Sequence, residues 1–385
     1  MVTAGSDRAS GRLESTPLRR AESWPRLIQL TGRDFRNHAL VDLAFDPGTT
    51  ILYGSTGAGK TNLLEAIHFG CTGKSCWSAN DRDLIRFDQR ATRVAVTCMS
   101  DDLTRTFETS FDSARKKLLK VDGAVVDRVS PDEGRPLLCV FMPDRLELVK
   151  GPARVRRERL DSLVATLWPS RKLTKLSYVR ALAQRNSLLG RLRSSDAAGD
   201  SLTGWDRELA RHGFELMSDR FNVVELLAPS FSARAAELGL GGEVTFTYRP
   251  RSRAQVADEL AAELLESRAA DIERGYTGHG PHRDEFRFEM DGRDLRRFGS
   301  QGQQRVALLA LILAERDALK AARGGTPILL LDDVLSELDG ERRARLLDAL
   351  RIEGQSLITT AEPDAVRMAG KLVSSIRVGS GGSHG

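Results

Sequence analysis

The sequence predicts an α/β fold in which a discontinuous lobe of strands and helices is interrupted by an inserted, mainly helical second lobe. Apolar strand segments run directly into helical segments near both ends of the chain, as in "TTILYGSTGAGKTNLLEAIHF" and "TPILLLDD". From about residue 150 the pattern becomes helical, rich in Arg and Leu and poor in β-branched residues. No sustained heptads occur between residues 150 and 280, so we expect no long coiled coil. Strand and helix segments that flank such an insertion indicate one α/β lobe built from both ends of the chain.

Each element follows from its local pattern. "VDLAFD" alternates Val41, Leu43 and Phe45 as a half-buried strand does, and Leu63, Leu64 and Ile67 give the segment after "TTILYG" helical spacing. The further predicted strands are "RLIQL", residues 94–99, 104–111, 117–126, 137–143 and 243–248, and "SLITT"; the further predicted helices lie near 254–268, after Ser300 and at "ERRARLLDAL"; Asp291-Gly292 predicts a hairpin turn. The predicted boundaries are a disordered tail at 1–24, lobe I at 25–148 and 323–378, lobe II at 149–322, and a flexible tail at 379–385.

Composition limits the classes of protein that fit. The chain has 385 residues, which favours two lobes over one, and 58 Lys plus Arg against 53 Asp plus Glu give a net charge of +5, a mild bias toward polyanionic partners. The 4 cysteines include no CxxC pair and favour reduced thiols. No apolar run is long enough to span a bilayer and the first two dozen residues have no apolar core, so we expect a cytoplasmic protein with no membrane partner.

The glycine-rich segment between a predicted strand and helix has the spacing of a phosphate-binding loop. It reads Gly54-Ser55-Thr56-Gly57-Ala58-Gly59-Lys60-Thr61 and matches G-x-x-x-x-G-K-T. Glycines let successive N–H groups surround phosphate oxygens, and the helix N-terminus adds a favourable dipole. Lys60 is predicted to bridge the β- and γ-phosphates of ATP and Thr61 to bind Mg²⁺. The alternative is a glycine turn that only caps a helix.

Two carboxylates end the apolar run "PILLLDD". The run places Asp332 at the C-terminal end of a core strand, where we expect it to hold Mg²⁺, and Asp333 follows as a candidate general base for the attacking water. The structural alternative is that these residues begin and cap the next helix.

A second polar cluster begins an otherwise apolar helix at Ser300, Gln301, Gly302, Gln303 and Gln304. We interpret it as a second anion-binding helix end, in which Ser300 donates through its hydroxyl, Gly302 lets the backbone approach a phosphate, and Gln303 adds a polar contact. Taken alone, the cluster would more simply be a serine N-cap.

The order of these motifs resembles that of the ABC-type ATPases and their SMC-like heads. In that family the signature serine contacts the γ-phosphate of a nucleotide held by another subunit, which implies here that Ser300 completes the site of a second chain. The resemblance also implies that Ser336-Glu337-Leu338-Asp339 is the D-loop at the dimer seam, and that Thr360 is the switch residue, although the usual histidine is absent.

Within that class, several segments together resemble the RecF family. They are "RDFRNHALVDLAFDPGTTILYGSTGAGKTNLLEAIHF", "DRDLIRF", "FMPDRLELVKGPARVRRERLD", "GYTGHGPHRDEF", "GSQGQQR" and "LLLDDVLSELD". The resemblance implies an ATP-dependent homodimer on single- and double-stranded DNA, slow ATP hydrolysis, and cooperation with RecO and RecR in loading the recombinase, in gap repair, replication restart and SOS induction. Thr56 departs from the asparagine that is common in the family, and the segment "GHGPHRDE" has no assigned role beyond a structural turn with an internal ion pair.

Candidate DNA contacts lie on the first turns of the second lobe, at Arg154, Arg156, Arg157 and Arg159. Arg171, Lys172, Lys175 and Arg180 would lengthen the same stripe. Since aromatic residues make up only 6%, we expect contacts to the phosphate backbone rather than stacking on bases. A solvated helix face is the competing interpretation.

Two other functions are weighed. A transporter-type nucleotide-binding subunit normally has its signature roughly eighty to a hundred residues after the phosphate loop, whereas the gap here is about 240 residues. A metal-dependent nuclease fused to an ABC head would require clustered carboxylates outside the loop site, and the sequence indicates none.

Overall fold

The computed structural model describes residues 25–100, 103–114, 117–127, 134–142, 146–193, 199–351, 354–362 and 373–379. The tail predicted at 1–24 lies outside the described residues, as does the tail predicted at 379–385 apart from its first residue. Within these ranges, none of the helices combines the length and the apolarity that a membrane span needs.

The N-terminal third forms an antiparallel sheet and the first strands of a parallel one. Its elements are β1 (Arg26–Phe35), β2 (His38–Ala44), β3 (Thr49–Tyr53), α1 (Lys60–Thr72), β4 (Ala91–Ser100), β5 (Leu103–Asp112), β6 (Leu118–Val121), β7 (Ala124–Val126) and β8 (Leu138–Phe141). The antiparallel sheet has the order β2-β1-β4-β5-β6-β7. The prediction of a single strand over 117–126 is wrong, because this segment forms the β6–β7 hairpin. Asp122 and Gly123 have left-handed φ angles of 51° and 83° and form its turn.

The middle of the chain is mainly helical and carries a small sheet. Its elements are α2 (Glu147–Lys150), α3 (Ala153–Leu167), α4 (Lys172–Leu192), α5 (Thr203–Glu237), β9 (Val244–Arg249), α6 (Ala257–Glu266), α7 (Arg268–Arg274), β10 (Glu285–Met290), β11 (Arg293–Asp294), α8 (Leu295–Phe298) and α9 (Gln301–Arg323). The hairpin at Asp291-Gly292 is confirmed, with φ angles of 51° and 72°. The helix predicted near 254–268 is confirmed as α6, and α7 follows it as a separate helix that was not predicted.

The C-terminal part returns to the first sheet. It contributes β12 (Ile328–Leu331), α10 (Gly340–Arg351), β13 (Ser356–Thr360) and β14 (Ser374–Arg377), of which β14 was not predicted. The sheet has the order β14-β3-β13-β12-β8, and every neighbouring pair is parallel. Because β3, β13 and β12 are parallel neighbours, with β13 in the middle, their carboxyl ends meet at one edge of the sheet. Ligands of open α/β sheets bind at such edges.

Hydrophobic packing fixes that arrangement. One apolar cluster surrounds α1 between the two large sheets and includes Phe35 and Phe69, both 0% exposed. A second cluster covers the opposite face of the parallel sheet and joins β8 and β12 to α3, α5, α9 and the small sheet. Since α9 is buried against both β8 and α5, its first turn is held firmly relative to the parallel sheet.

The segment "GHGPHRDE" belongs to a buried network of charges. Asp284 is 0% exposed and accepts hydrogen bonds from Arg220, from the Tyr248 hydroxyl and from the backbone N–H of Arg251. Arg220 also pairs with Asp161 of α3 at 2.8 Å. These bonds join α3, α5, β9 and the turn before β10. The segment "GHGPHRDE" therefore has a structural role. Its ion pairs connect it to distant elements and do not lie within the turn itself.

His282 gives this network a measurable dependence on pH. Its Nε2 lies 3.0 Å from the Thr277 carbonyl, which only accepts, so Nε2 carries the proton and Nδ1 accepts from the Tyr178 hydroxyl at 2.7 Å. Burial lowers the pKa of His282 to about 4. A histidine whose pKa is lowered by folding stabilises the fold fully above its unfolded pKa of about 6.5, and that contribution is lost as the pH falls toward 4.

We therefore expect the free energy of unfolding to fall by about 3 kcal/mol more in the wild type than in His282→Gln between pH 7 and pH 4. Urea unfolding of both proteins across this range measures the difference. Parallel curves for the two proteins would contradict the assignment of the titration to His282.

Candidate functional site

The glycine-rich loop connects β3 to α1 and wraps around the side chain of Lys60. Lys60 Nζ donates to the carbonyls of Gly54 at 2.9 Å and Ser55 at 2.8 Å. Burial lowers the pKa of Lys60, and the nearby Asp333 and Asp332 partly oppose that shift. Gly59 has a φ of 94°, and a Cβ there would lie 2.4 Å from Asn37 Oδ1 and from His38 Nε2. Only glycine therefore fits at this position of the loop.

Asp332 lies at the end of β12, directly beside the loop. Its Oδ1 accepts from the Thr61 hydroxyl at 2.7 Å and from the Thr359 hydroxyl at 2.6 Å. Burial raises the pKa of Asp332, and the hydrogen bonds from Thr359 and Thr61 partly oppose the shift. A hydroxyl and a carboxylate held together in this way are the oxygen donors that Mg²⁺ prefers. The structure thus brings together the two residues that the sequence predicts as metal ligands.

Asp333 is held in an uncommon backbone conformation. It has a left-handed φ of 47°, its N–H donates to Thr359 Oγ1 at 2.8 Å, and its carbonyl accepts from the Ser336 hydroxyl at 2.8 Å. Within the described part of the chain, its Oδ1 is buried and has no hydrogen-bond partner. A buried carboxylate oxygen without a donor is costly, so its retention points to a donor that arrives with a ligand.

The threonine that faces the acidic pair is Thr359, not Thr360. Thr359 Oγ1 bonds both Asp332 and the N–H of Asp333, whereas the Thr360 hydroxyl accepts from the N–H of Glu362 at 3.1 Å. The role of Thr360 as the switch residue stays a prediction, while the threonine that contacts the acidic pair is its neighbour Thr359. Successive side chains of a strand point to opposite faces, and the sequence "ITT" gives no signal that separates the two.

The turn between β1 and β2 forms one wall of the site, which the sequence reasoning missed. His38 is 3% exposed and its Nε2 lies 3.0 Å from the carbonyl of Gly59. Arg36 forms two hydrogen bonds, at 2.7 and 2.8 Å, to Glu65 of α1, which is 1% exposed. The polar cluster "RNH" between two strands was the available signal. These contacts fix the loop against the antiparallel sheet.

Ser300 lies at the start of α9 and forms a complete capping box. Its Oγ accepts from the N–H of Gln303 at 3.2 Å, and its own N–H donates to Gln303 Oε1 at 2.8 Å. The simple N-cap interpretation thus describes the local structure correctly. The Ser300 side chain is exposed and its hydroxyl proton remains free to donate outward, so the cap leaves an anion-binding function possible.

The first turn of α9 also contacts the segment Ser336–Asp339. Arg305 forms an ion pair with Glu337. Within the described residues, no hydrogen bond or ion pair joins Ser300–Gln304 to the loop at residues 54–61. The helix that the second polar cluster begins is thus tied, through Arg305, to the predicted D-loop of its own chain and not to its own phosphate loop.

The predicted arginine stripe on α3 is mostly engaged within the protein. Arg156 is 3% exposed and pairs with Glu285 at 2.8 Å, so its prediction as a DNA contact is wrong. Arg159 pairs with Glu315, which is 0% exposed, and Arg157 donates to the carbonyl of Asp284 at 2.6 Å. Arg154 alone of the four is largely exposed, at 72%. Helical spacing did not reveal that this face packs on β10 and α9.

The glycine loop after β3, the acidic pair that follows β12 of the same parallel sheet and the mixed α/β architecture define an ABC-type, SMC-head-like P-loop ATPase fold. A family model described as an AAA domain matches residues 29–133. The chain belongs to the RecF family. It is 37% identical over 335 residues to the DNA replication and repair protein RecF of Heliobacterium modesticaldum, an alignment that covers 85% of this chain and 90% of the relative.

Other comparisons agree with this membership. The corresponding RecF of Gloeobacter violaceus is 38% identical over 345 residues, covering 87% of this chain and 91% of the relative. A solved structure of the recombination mediator protein RecF-ATP in the RecFOR pathway superposes with a TM-score of 0.79 at 29% identity, covering 93% of this chain and 96% of that one. The Smc head domain of Pyrococcus furiosus shares the fold, with a TM-score of 0.56 at 16% identity over 93% of this chain and 95% of that one. The family membership decides against the transporter-subunit alternative.

Proposed function

We propose that this protein is an ATP-dependent DNA-binding ATPase of recombinational gap repair and replication restart. It binds single- and double-stranded DNA, dimerises when it binds ATP, and slowly hydrolyses ATP to reset its binding. Family membership further supports cooperation with RecO and RecR in loading the recombinase, a contribution to SOS induction, and action in the cytoplasm.

The residues of the site have separate roles in nucleotide binding. The backbone N–H groups of Gly54 to Thr61 surround the phosphates, and Lys60 exchanges its two carbonyl partners for phosphate oxygens. Thr61 and Asp332 would hold Mg²⁺, which supplies charge neutralisation on the β- and γ-phosphates when bound. Thr359 keeps Asp332 oriented through its 2.6 Å hydrogen bond.

In this proposal Asp333 acts as the general base. Its buried, unpartnered Oδ1 accepts a hydrogen bond from the attacking water and takes its proton as the water attacks the γ-phosphate. The left-handed backbone at Asp333, held by Thr359 and Ser336, keeps this carboxylate separate from the one that faces the metal.

The observation that carries the proposed dimer is the separation of the two phosphate-binding parts within one chain. Ser300 is exposed at a rigidly packed helix end, and within the described residues it forms no hydrogen bond with the phosphate loop. Each chain has one copy of each part, so a complete site requires two chains. The test is light scattering of the wild type with and without ATP and DNA. ATP should double the mass and ADP should not, and a constant monomeric mass would overturn the proposal.

We place the DNA-binding surface on the outer face of α4 rather than on α3. Residues 171–193 contain no Asp or Glu, and Lys172, Arg180 and Arg191 are exposed and make no ion pair within the described residues. By contrast, Arg171 pairs with Asp219 and Lys175 pairs with Asp161, each at 3.4 Å. A helix face with cations and no carboxylates suits contacts to phosphates without base readout.

We expect the affinity for duplex DNA to fall steeply as the salt concentration rises. Replacement of Lys172, Arg180 and Arg191 by Ala should reduce the slope of log affinity against log salt concentration by about 2 to 3, because each lost phosphate contact accounts for roughly 0.9. Fluorescence anisotropy from 50 to 300 mM salt measures the slope. The triple variant Lys74→Ala, Arg82→Ala, Arg90→Ala removes the same charge from exposed positions elsewhere and should keep the wild-type slope. If the control variant showed the reduced slope and the α4 variant showed the wild-type slope, the DNA surface would lie elsewhere.

A further inference from the structure

Next to the first turn of α9 lies a guanidinium group that no motif assigns. Arg342 belongs to the first turn of α10, directly after the Ser336–Asp339 segment. A Cβ built on Gly302 would lie 3.5 Å from Arg342 Nη1 and 4.0 Å from Ser300 Oγ. The serine hydroxyl, the backbone at Gly302 and the guanidinium therefore converge on one small region of surface.

Arg342 is held loosely where it stands. Its Nη1 lies 3.3 Å from Asp339 Oδ2, in a pair whose side chains are 26% and 57% exposed, and its Nη2 lies 3.5 Å from the Gly239 carbonyl. A partly exposed ion pair of this kind contributes little to stability. A cavity of about 500 Å³ opens beside the side chain, lined by Gly239, Gly241, Asp339, Arg342 and Arg345 among others. The guanidinium can thus change partners without disturbing a packed core.

We propose that Arg342 is the cationic member of the composite site, and that it moves from Asp339 to the γ-phosphate of the nucleotide bound by a second copy of this chain. The inference rests on the proposed function and deepens it. A planar guanidinium offers paired donors that match phosphate oxygens, and a hydrogen bond between two charged groups is stronger than one donated by the neutral Ser300 hydroxyl. The missing side chain at Gly302 leaves the approach to both groups open.

The position of Asp339 links the state in which Arg342 pairs with Asp339 to the state in which Arg342 contacts a γ-phosphate. Asp339 caps α10 by accepting from the N–H of Arg342 at 2.9 Å, and the same carboxylate holds the Arg342 side chain. Arg305 of α9 pairs with Glu337, so the start of α9 stays beside the segment that precedes α10 while the guanidinium changes partner. Arrival of a γ-phosphate is then detected by the segment at the predicted dimer seam.

The test measures ATP-dependent association together with ATP binding by the isolated chain. Arg342→Ala should bind ATP as the wild type does but dimerise about 100-fold more weakly, because each of two equivalent sites loses one charged hydrogen bond worth about tenfold. Arg342→Lys keeps the positive charge but lacks the paired donors of a guanidinium. Its association should therefore be weaker than that of the wild type and stronger than that of Arg342→Ala. The preference for ATP over ADP in association should shrink in the same order, which a purely structural role would not produce.

Arg345→Ala is the matched control. Arg345 lies one turn further along α10, lines the same cavity and pairs with Glu341 at 2.5 Å, so its loss should leave association unchanged. If Ser300→Arg abolishes association while Arg342→Ala retains wild-type association, the role of Arg342 is refuted and the shared site stands. If neither variant affects ATP-dependent association, the shared nucleotide site is refuted, because the two chains then associate through another surface. If Arg342→Ala lowers the melting temperature and association falls equally for ATP and ADP, the residue is structural.

Discussion

Ser300→Arg is expected to bind ATP as a monomer with unchanged affinity and to lose ATP-dependent association by at least about 100-fold. The hydroxyl lies exposed at the start of α9, outside its own phosphate loop, so a long side chain there obstructs only the nucleotide of a partner. Nucleotide binding by fluorescence and mass by light scattering separate the two effects. Lys60→Met, which should bind no ATP, supplies the reference for failure of the loop itself.

The capping box complicates this prediction, because loss of the Ser300 cap alone should cost about 1 kcal/mol of stability. Ser300→Asp separates the loss of the helix cap from the loss of the phosphate contact. Aspartate caps a helix as well as serine does, so this variant should keep the wild-type melting temperature. Its carboxylate would nevertheless repel a γ-phosphate and prevent association. Normal association of Ser300→Asp would show that the serine is only a cap.

Asp333→Asn is expected to lower ATP turnover by about 100-fold or more while ATP binding and association persist, so that the ATP-bound dimer accumulates. Asparagine tolerates the left-handed conformation at a φ of 47° and preserves the shape of the side chain, but it cannot take a proton from water. Single-turnover hydrolysis and gel filtration with ATP measure the two quantities.

Asp332→Asn provides the contrast for that prediction. Asp332 contacts Thr61 and is the candidate metal ligand, so its amide should weaken Mg²⁺-dependent nucleotide binding itself. Turnover of Asp333→Asn within about threefold of the wild type would remove Asp333 from the role of base.

The sequence determined the parts of this protein that depend on local pattern. The loop Gly54–Thr61, the run "LLLDD" and the hairpin at Asp291-Gly292 each have a residue order that only a few backbone conformations satisfy. Their order along the chain also indicated a lobe assembled from both ends, because parallel strands require crossover connections.

Tertiary structure decided which side chains meet. Thr359 rather than Thr360 reaches the acidic pair because β13 inserts between β3 and β12 with one particular face toward the site. Arg156 is buried because α3 packs on β10, a strand more than a hundred residues later in the chain. Arg342 lies beside Gly302 because α9 and α10 belong to one hydrophobic cluster on the parallel sheet. Such contacts depend on long-range packing geometry, which periodicity and charge pattern do not encode, whereas turn and loop chemistry is encoded within a few residues.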